Sequence, residues 1–327
     1  MNRNFKTPIV SVDDAVKILS SGGLVALPTE TVYGLAAIAT QPDAILKIFK
    51  AKGRPVDHPL IVHVASLDEV YIWAKEVPKE AVILANKFWP GPLTMVFKKA
   101  DFVSTYLTGG QDTVAIRIPN HQLTLEILRK LGTGVAAPSA NRFGRVSPTL
   151  PKHVLDELDG LIDGVVDGGQ CNVGIESTIV DLTSDVVRLL RPGHINKEDL
   201  ELCLCKEISV NKIEAPRVPG SLKAHYAPST PLKMVATNNL NLEIEKHIKD
   251  GIQFNLWSFE KPLNKNSFIN WKKASIDPQV YAYELYDQLR RFDENKSTIT
   301  LIEIPPTDNE AWIGVIDRLT RAQAHFK

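Results

Sequence analysis

Polar clusters in the first part of the chain, each at the end of an apolar run, carry the side chains from which chemistry could be built. Pro28-Thr29-Glu30-Thr31-Val32-Tyr33 puts two hydroxyls, a carboxylate and a phenol into one short segment, and such groups are costly to bury unpaired. The plainer reading is a turn whose threonines cap a helix. Lys50, Lys52 and Arg54 surround Gly53 at the end of a helical pattern. They supply cationic donors around a residue that permits close approach of a phosphate, although compensation of a helix dipole would use the same charges.

Arg117 stands in the apolar alternation 114–118 and points away from Ile116 and Ile118. Arginine is seldom buried without an anion, so a carboxylate or phosphate is expected beside it, supplied by a ligand or by an internal acid. Ser139, Asn141 and Ser147 lie among small residues in a loop suited to holding an anion. His63 closes a strand, where a satisfied strand-end histidine is the plain alternative. Ser177 opens another in Gly174-Ile175-Glu176-Ser177-Thr178, and Arg191 ends a third in Leu190-Arg191-Pro192-Gly193. The familiar nucleotide and hydrolase signatures are absent: no G-x-x-x-x-G-K-[ST], no G-x-G-x-x-G between strand and helix, no H-E-x-x-H, no G-x-S-x-G.

Apolar β-rich runs at 23–27, 60–64, 93–97, 114–118, 134–137, 178–182 and 186–190 alternate with helical patterns at 42–52, 79–88, 121–131 and 152–161, which predicts an α/β domain over 1–205. The proline-rich stretch 206–231 reads as a linker. A second series follows over 232–327: strands at 232–236, 252–257 and 298–304, helices at 239–249, 277–292 and 310–325. It reads as a smaller doubly wound domain.

The 327 residues include 38 Lys+Arg and 38 Asp+Glu, a balance that argues against a protein coating nucleic acid by bulk charge. Three cysteines, Cys171, Cys203 and Cys205, do not make a disulfide framework and suggest free thiols. With no apolar run of membrane-spanning length and no secretion-signal pattern, the expected location is cytoplasmic, away from membranes.

Taken in order, PTETVYGL, KGRPVDHPLIVHV, FWPGPLT, VAIRIPNH, PSANRFGRVSPT, GIESTIVDL and LRPG resemble the motif series of the YrdC-like threonylcarbamoyl-AMP synthases. HYAPSTPL and the domain after it are similar to the long, two-domain form of that family. The resemblance implies a YrdC-like twisted mixed sheet with helices, plus a smaller Rossmann-like α/β C-terminal domain. It also implies a nucleotidyltransferase that joins L-threonine, bicarbonate and ATP into threonylcarbamoyl-AMP with release of pyrophosphate, for tRNA modification. A separate tRNA threonylcarbamoyl transferase complex would consume the product, and direct tRNA binding stays open.

Carried over position by position, the resemblance places Thr31, His63, Arg117, Ala137 and Ser177 around threonine. Arg54, His58, Thr113, Ser139, Asn141, Ser147 and Arg191 would line the ATP side, with Tyr226 closing over the nucleotide from the linker. Lys52 and Arg54 would act on the reacting groups. Mg²⁺ would accompany ATP without direct protein ligands, and no protein nucleophile is needed. His63 is a candidate base for the amine by chemistry alone. His58 and His194 depart from the family pattern, which more often has Asn and a small residue there.

The alternative is a double-stranded RNA or tRNA-binding protein of the same fold, with Lys50, Lys52, Arg54, Arg142 and Arg145 as a basic surface. That function does not require the PTET segment, His63 or Ser177. Carbamoyltransferases with a YrdC-like module would carry zinc-finger cysteines that this chain lacks.

Overall fold

A computed structural model describes residues 6–211, 213, 215–264, 266–295 and 297–326. They fall into two compact units, Met1–Phe143 with Ser147–Ser221, and Gly144–Val146 with Leu222–Lys327. The segment 206–231, expected as a linker, is thus divided between them. Its first part is ordered in unit 1: Ser209 bridges to Arg188, and Val218 is buried with Ile61, Ile179 and Leu190. Prolines remove periodicity from a sequence without removing order from the chain.

Unit 1 is built on β1 (Val25–Leu27), β2 (Gly34–Ile38), β3 (Ile61–His63), β4 (Leu93–Lys98), β5 (Thr113–Arg117), β6 (Val135–Ala136), β7 (Gly164–Val165), β8 (Thr178–Asp181) and β9 (Arg188–Arg191). They form one nine-stranded sheet in the order β7-β1-β2-β6-β3-β5-β4-β8-β9. The sheet is mixed: β3 runs parallel to β5 and β4 to β8, whereas β2–β6, β3–β6 and β4–β5 are antiparallel. Most strand residues are buried, which is why the strands read as continuous apolar runs.

The helix Pro42–Lys52 shows how local sequence sets the frame. Proline at its first turn needs no hydrogen bond there, Asp43 and the pair Lys50 and Lys52 match the two ends of the helix dipole, and Gly53 ends it at φ 63°. Only glycine adopts that left-handed conformation without strain, and it turns the chain so that Arg54 follows directly. Gly193 is fixed by space: a Cβ there would stand 2.5 Å from the backbone nitrogen of Thr178.

Unit 2 carries β10 (Leu232–Val235), β11 (Phe254–Ser258), β12 (Ile269–Lys273) and β13 (Ile299–Glu303) in an all-parallel sheet of order β10-β13-β11-β12. Its helices include Thr237–Lys249, Pro278–Glu294 and Ile313–Ala324. The stripe Tyr281, Leu285, Leu289 and Phe292 is buried, as helical spacing requires. Among the described residues, no helix is long and apolar enough to cross a membrane.

Candidate active site

The segment after β1 leads into β2 and not into a helix, so its threonines do not cap one. Thr29 builds the turn instead: its Oγ1 accepts from the backbone N–H of Thr31 and Val32, both at 3.2 Å, and donates to the Val32 carbonyl at 2.6 Å. With that proton committed, the 2.9 Å contact between the two hydroxyls is donated by Thr31. β1 lies four strands from β5 in the sheet, about 19 Å at ordinary strand spacing. The turn nevertheless reaches Arg117, so it folds over the sheet.

Arg117 ends β5 beside His63, which ends β3; the two are register partners on parallel strands. The guanidinium is buried and held from three sides. Nε donates to the Gly91 carbonyl at 3.1 Å, Nη1 donates to Thr31 Oγ1 at 2.8 Å, and Nη2 lies 2.7 Å from Glu30 Oε2. Asn120 N–H donates to the same Oε2 at 3.0 Å. The anion expected beside Arg117 is therefore present within the chain.

His63 is 4% exposed. Burial, and then the neighbouring Arg117 charge, push its imidazole down to about 3, so it is neutral at physiological pH. A base that weak is poorly matched to an ammonium proton. A neutral imidazole can offer one hydrogen-bond donor and one acceptor to a ligand.

A second cluster gathers residues expected on the ATP side. Lys52 is buried, and its Nζ donates to the carbonyls of Ser139 at 2.5 Å and Asn141 at 2.6 Å, while its own carbonyl accepts from Phe143 N–H. Burial, reinforced by Arg54, lowers its pKa well below the ordinary lysine range. Lys52 thus fixes the path of the Ser139–Phe143 loop. Arg54 Nη2 donates to the Pro59 carbonyl at 2.9 Å, and its guanidinium lies over the Phe143 ring. His58 meets the edge of that ring at 5.3 Å. Phe143 organises both, and nothing in its spacing had singled it out.

Ser177 and Arg191 form the third group. Arg191 donates through Nε and Nη2 to the Ser177 carbonyl and through Nη1 to the Pro219 carbonyl, and Nη2 also reaches Ser177 Oγ at 3.0 Å. Ser177 Oγ lies 2.7 Å from Thr94 Oγ1. Ser147 Oγ donates to Glu176 Oε1 at 2.6 Å, which commits its single proton to a carboxylate. Ala137 follows β6, its N–H on the Ile61 carbonyl, and Ser139 bridges to Gly34.

Two further expected residues are Thr113 and Tyr226. Thr113 begins β5, about 13 Å along the strand from Arg117 at its other end. Tyr226 belongs to unit 2, where it is buried at φ 63°, stacks on Tyr286 at 5.8 Å and lies under the Arg318 guanidinium. As for a basic RNA surface, Lys52 and Arg54 are 1% and 8% exposed, too buried to supply it.

Residues 17–193 match the family model described as "Telomere recombination", and residues 195–324 match "Threonylcarbamoyl-AMP synthase, C-terminal domain". A threonylcarbamoyl-AMP synthase of Bacillus subtilis is 39% identical over 95% of this chain and 92% of its own length. One of Pyrococcus abyssi is 44% identical over 95% and 93%. The crystal structure of P. abyssi Sua5 complexed with L-threonine superposes with a TM-score of 0.88 at 34% identity, covering 96% of this chain and 94% of that one.

Proposed function

The chain belongs to the threonylcarbamoyl-AMP synthase family in its two-domain form and is an enzyme of that activity, and from this premise we propose that unit 1 performs the chemistry on L-threonine, bicarbonate and ATP at the residues around Arg117 and Lys52. The observation that carries the placement is the buried Arg117 guanidinium, fixed by Gly91, Thr31 and Glu30 at a strand end. A guanidinium held in this way is preorganised for the threonine carboxylate and loses little freedom on binding it.

The threonine ammonium gives up a proton to water, and the free amine captures the carbon of bicarbonate with loss of water. A carbamate oxygen then attacks the α-phosphorus of ATP, the new P–O bond forming as the bond to pyrophosphate breaks. Oriented groups suffice for this displacement. Arg54 and Arg191 stand among the residues proposed for the ATP side, and the carbonyl-anchored Lys52 keeps the Ser139–Asn141 loop in place to receive the nucleotide. Mg²⁺ would enter on the triphosphate oxygens. It would ride on the nucleotide and need no direct protein ligands. A cytoplasmic setting and hand-over of the product to a tRNA threonylcarbamoyl transferase complex complete the proposal.

The test is pyrophosphate release by the purified chain with ATP, omitting each substrate in turn. Release that depends on both L-threonine and bicarbonate supports the proposed substrates. Release indifferent to either one removes them.

A further inference from the structure

Resting on the reading of Arg117 as the carboxylate-binding group, we infer that Glu30 is the binding residue for the α-ammonium of the amino-acid substrate. Glu30 is 6% exposed, and its two carboxylate oxygens are in different circumstances. Oε2 is met by Arg117 Nη2 at 2.7 Å and accepts from Asn120 N–H at 3.0 Å. Oε1 is buried and has no hydrogen-bond partner among the described residues. His121 and His194 lie close enough to feel the carboxylate charge, yet neither donates to Oε1.

The facing cation is matched in the same sense. Arg117 Nη2 is near Oε2 without the alignment of a hydrogen bond and has no other acceptor. A guanidinium nitrogen that is ion-paired but makes no aligned hydrogen bond therefore stands beside a buried carboxylate oxygen, Oε1, that has no partner. Leaving that oxygen so is costly, and the two groups together call for a ligand bearing the complementary pair.

An α-amino acid is that ligand. Its ammonium is two bonds of about 1.5 Å from its carboxyl carbon, so a carboxylate on Nη2 brings the ammonium into the neighbourhood of Oε1. Charge fits as well: Glu30 and Arg117 compensate each other and His63 is neutral, so a zwitterion enters without leaving a net charge buried. The same pair disfavours a hydroxy acid lacking the amine, which would leave Oε1 unpaired.

The experiment is calorimetric titration of the full chain and of Glu30→Gln with L-threonine and with 3-hydroxybutyrate, the same molecule without its amine. The wild-type chain is expected to bind L-threonine at least about tenfold more tightly than 3-hydroxybutyrate, the range of one hydrogen bond to a charged group. Glu30→Gln is expected to lose about tenfold for L-threonine and to stay within about twofold for 3-hydroxybutyrate. Equal losses for both compounds would mean that Glu30 only positions Arg117, and would overturn the inference. If Glu30→Gln does not fold, the wild-type comparison decides alone, since equal affinities for the two compounds would overturn the assignment. A wild-type chain that binds neither removes the threonine site itself, whereas one that binds both equally removes only the role of Glu30.

Discussion

His63 and Arg117 end two neighbouring parallel strands side by side, and burial together with that guanidinium holds the imidazole neutral down to about pH 3. The unfolded chain protonates the same residue near pH 6.5. Between those values the unfolded state binds more protons, so stability falls as pH drops through this window and is unaffected by His63 above it. The slope contributed is at most about 1.4 kcal/mol per pH unit. Urea midpoints measured from pH 7 to pH 4 are expected to fall less steeply in His63→Gln than in the wild-type chain. Identical slopes would show that the imidazole titrates normally.

Removing Arg117 alone leaves the Glu30 carboxylate buried without its cation. Arg117→Met is therefore expected to lose about 3–5 kcal/mol of stability, the usual consequence of stranding a buried charge. Arg117→Met with Glu30→Gln should recover most of that loss without recovering L-threonine binding. Thermal melts and calorimetry on the single and double variants check the coupling, and additive losses would show that the two side chains do not act as a pair.

Lys52→Met should act through the loop that its ammonium anchors. The Ser139 and Asn141 carbonyls lose their donor, at about 1–3 kcal/mol for each group left buried and unpaired. KM for ATP is expected to rise more than KM for L-threonine in pyrophosphate-release assays. Equal rises in both would point to a general loss of structure.

The end of unit 1 gives a prediction by truncation. A chain ending at 205 lacks Ile208 and Val218, both buried, and the Pro219 carbonyl that receives Arg191. A chain ending at 221 keeps them. The shorter form should melt at least about 5 °C lower, consistent with removal of large core side chains. Equal melting temperatures would show that 206–221 is dispensable.

Much of this arrangement could be read from local patterns, and the remainder depended on pairings that local patterns do not carry. The helix Pro42–Lys52 was legible because proline, first-turn acid, last-turn bases and glycine all mark its ends. β2 was not, because Gly-Leu-Ala-Ala-Ile is short and lacks the β-branched pattern, and the polar turn before it drew the reading toward a cap. β12 was missed because Ile-Asn-Trp-Lys-Lys is a half-exposed edge strand. Arg117 announced that it needed an anion, but the sequence left open whether ligand or protein would supply it. Glu30 sits in the flagged turn, and only the fold brings that turn across four strands to the guanidinium.

Label transfer measures most directly whether this chain joins three substrates into one adenylate. With ATP, ¹⁵N-labelled L-threonine and ¹³C-labelled bicarbonate, mass spectrometry is expected to find a nucleotide carrying both labels in the amount of pyrophosphate released. AMP and pyrophosphate without a doubly labelled nucleotide would contradict the account.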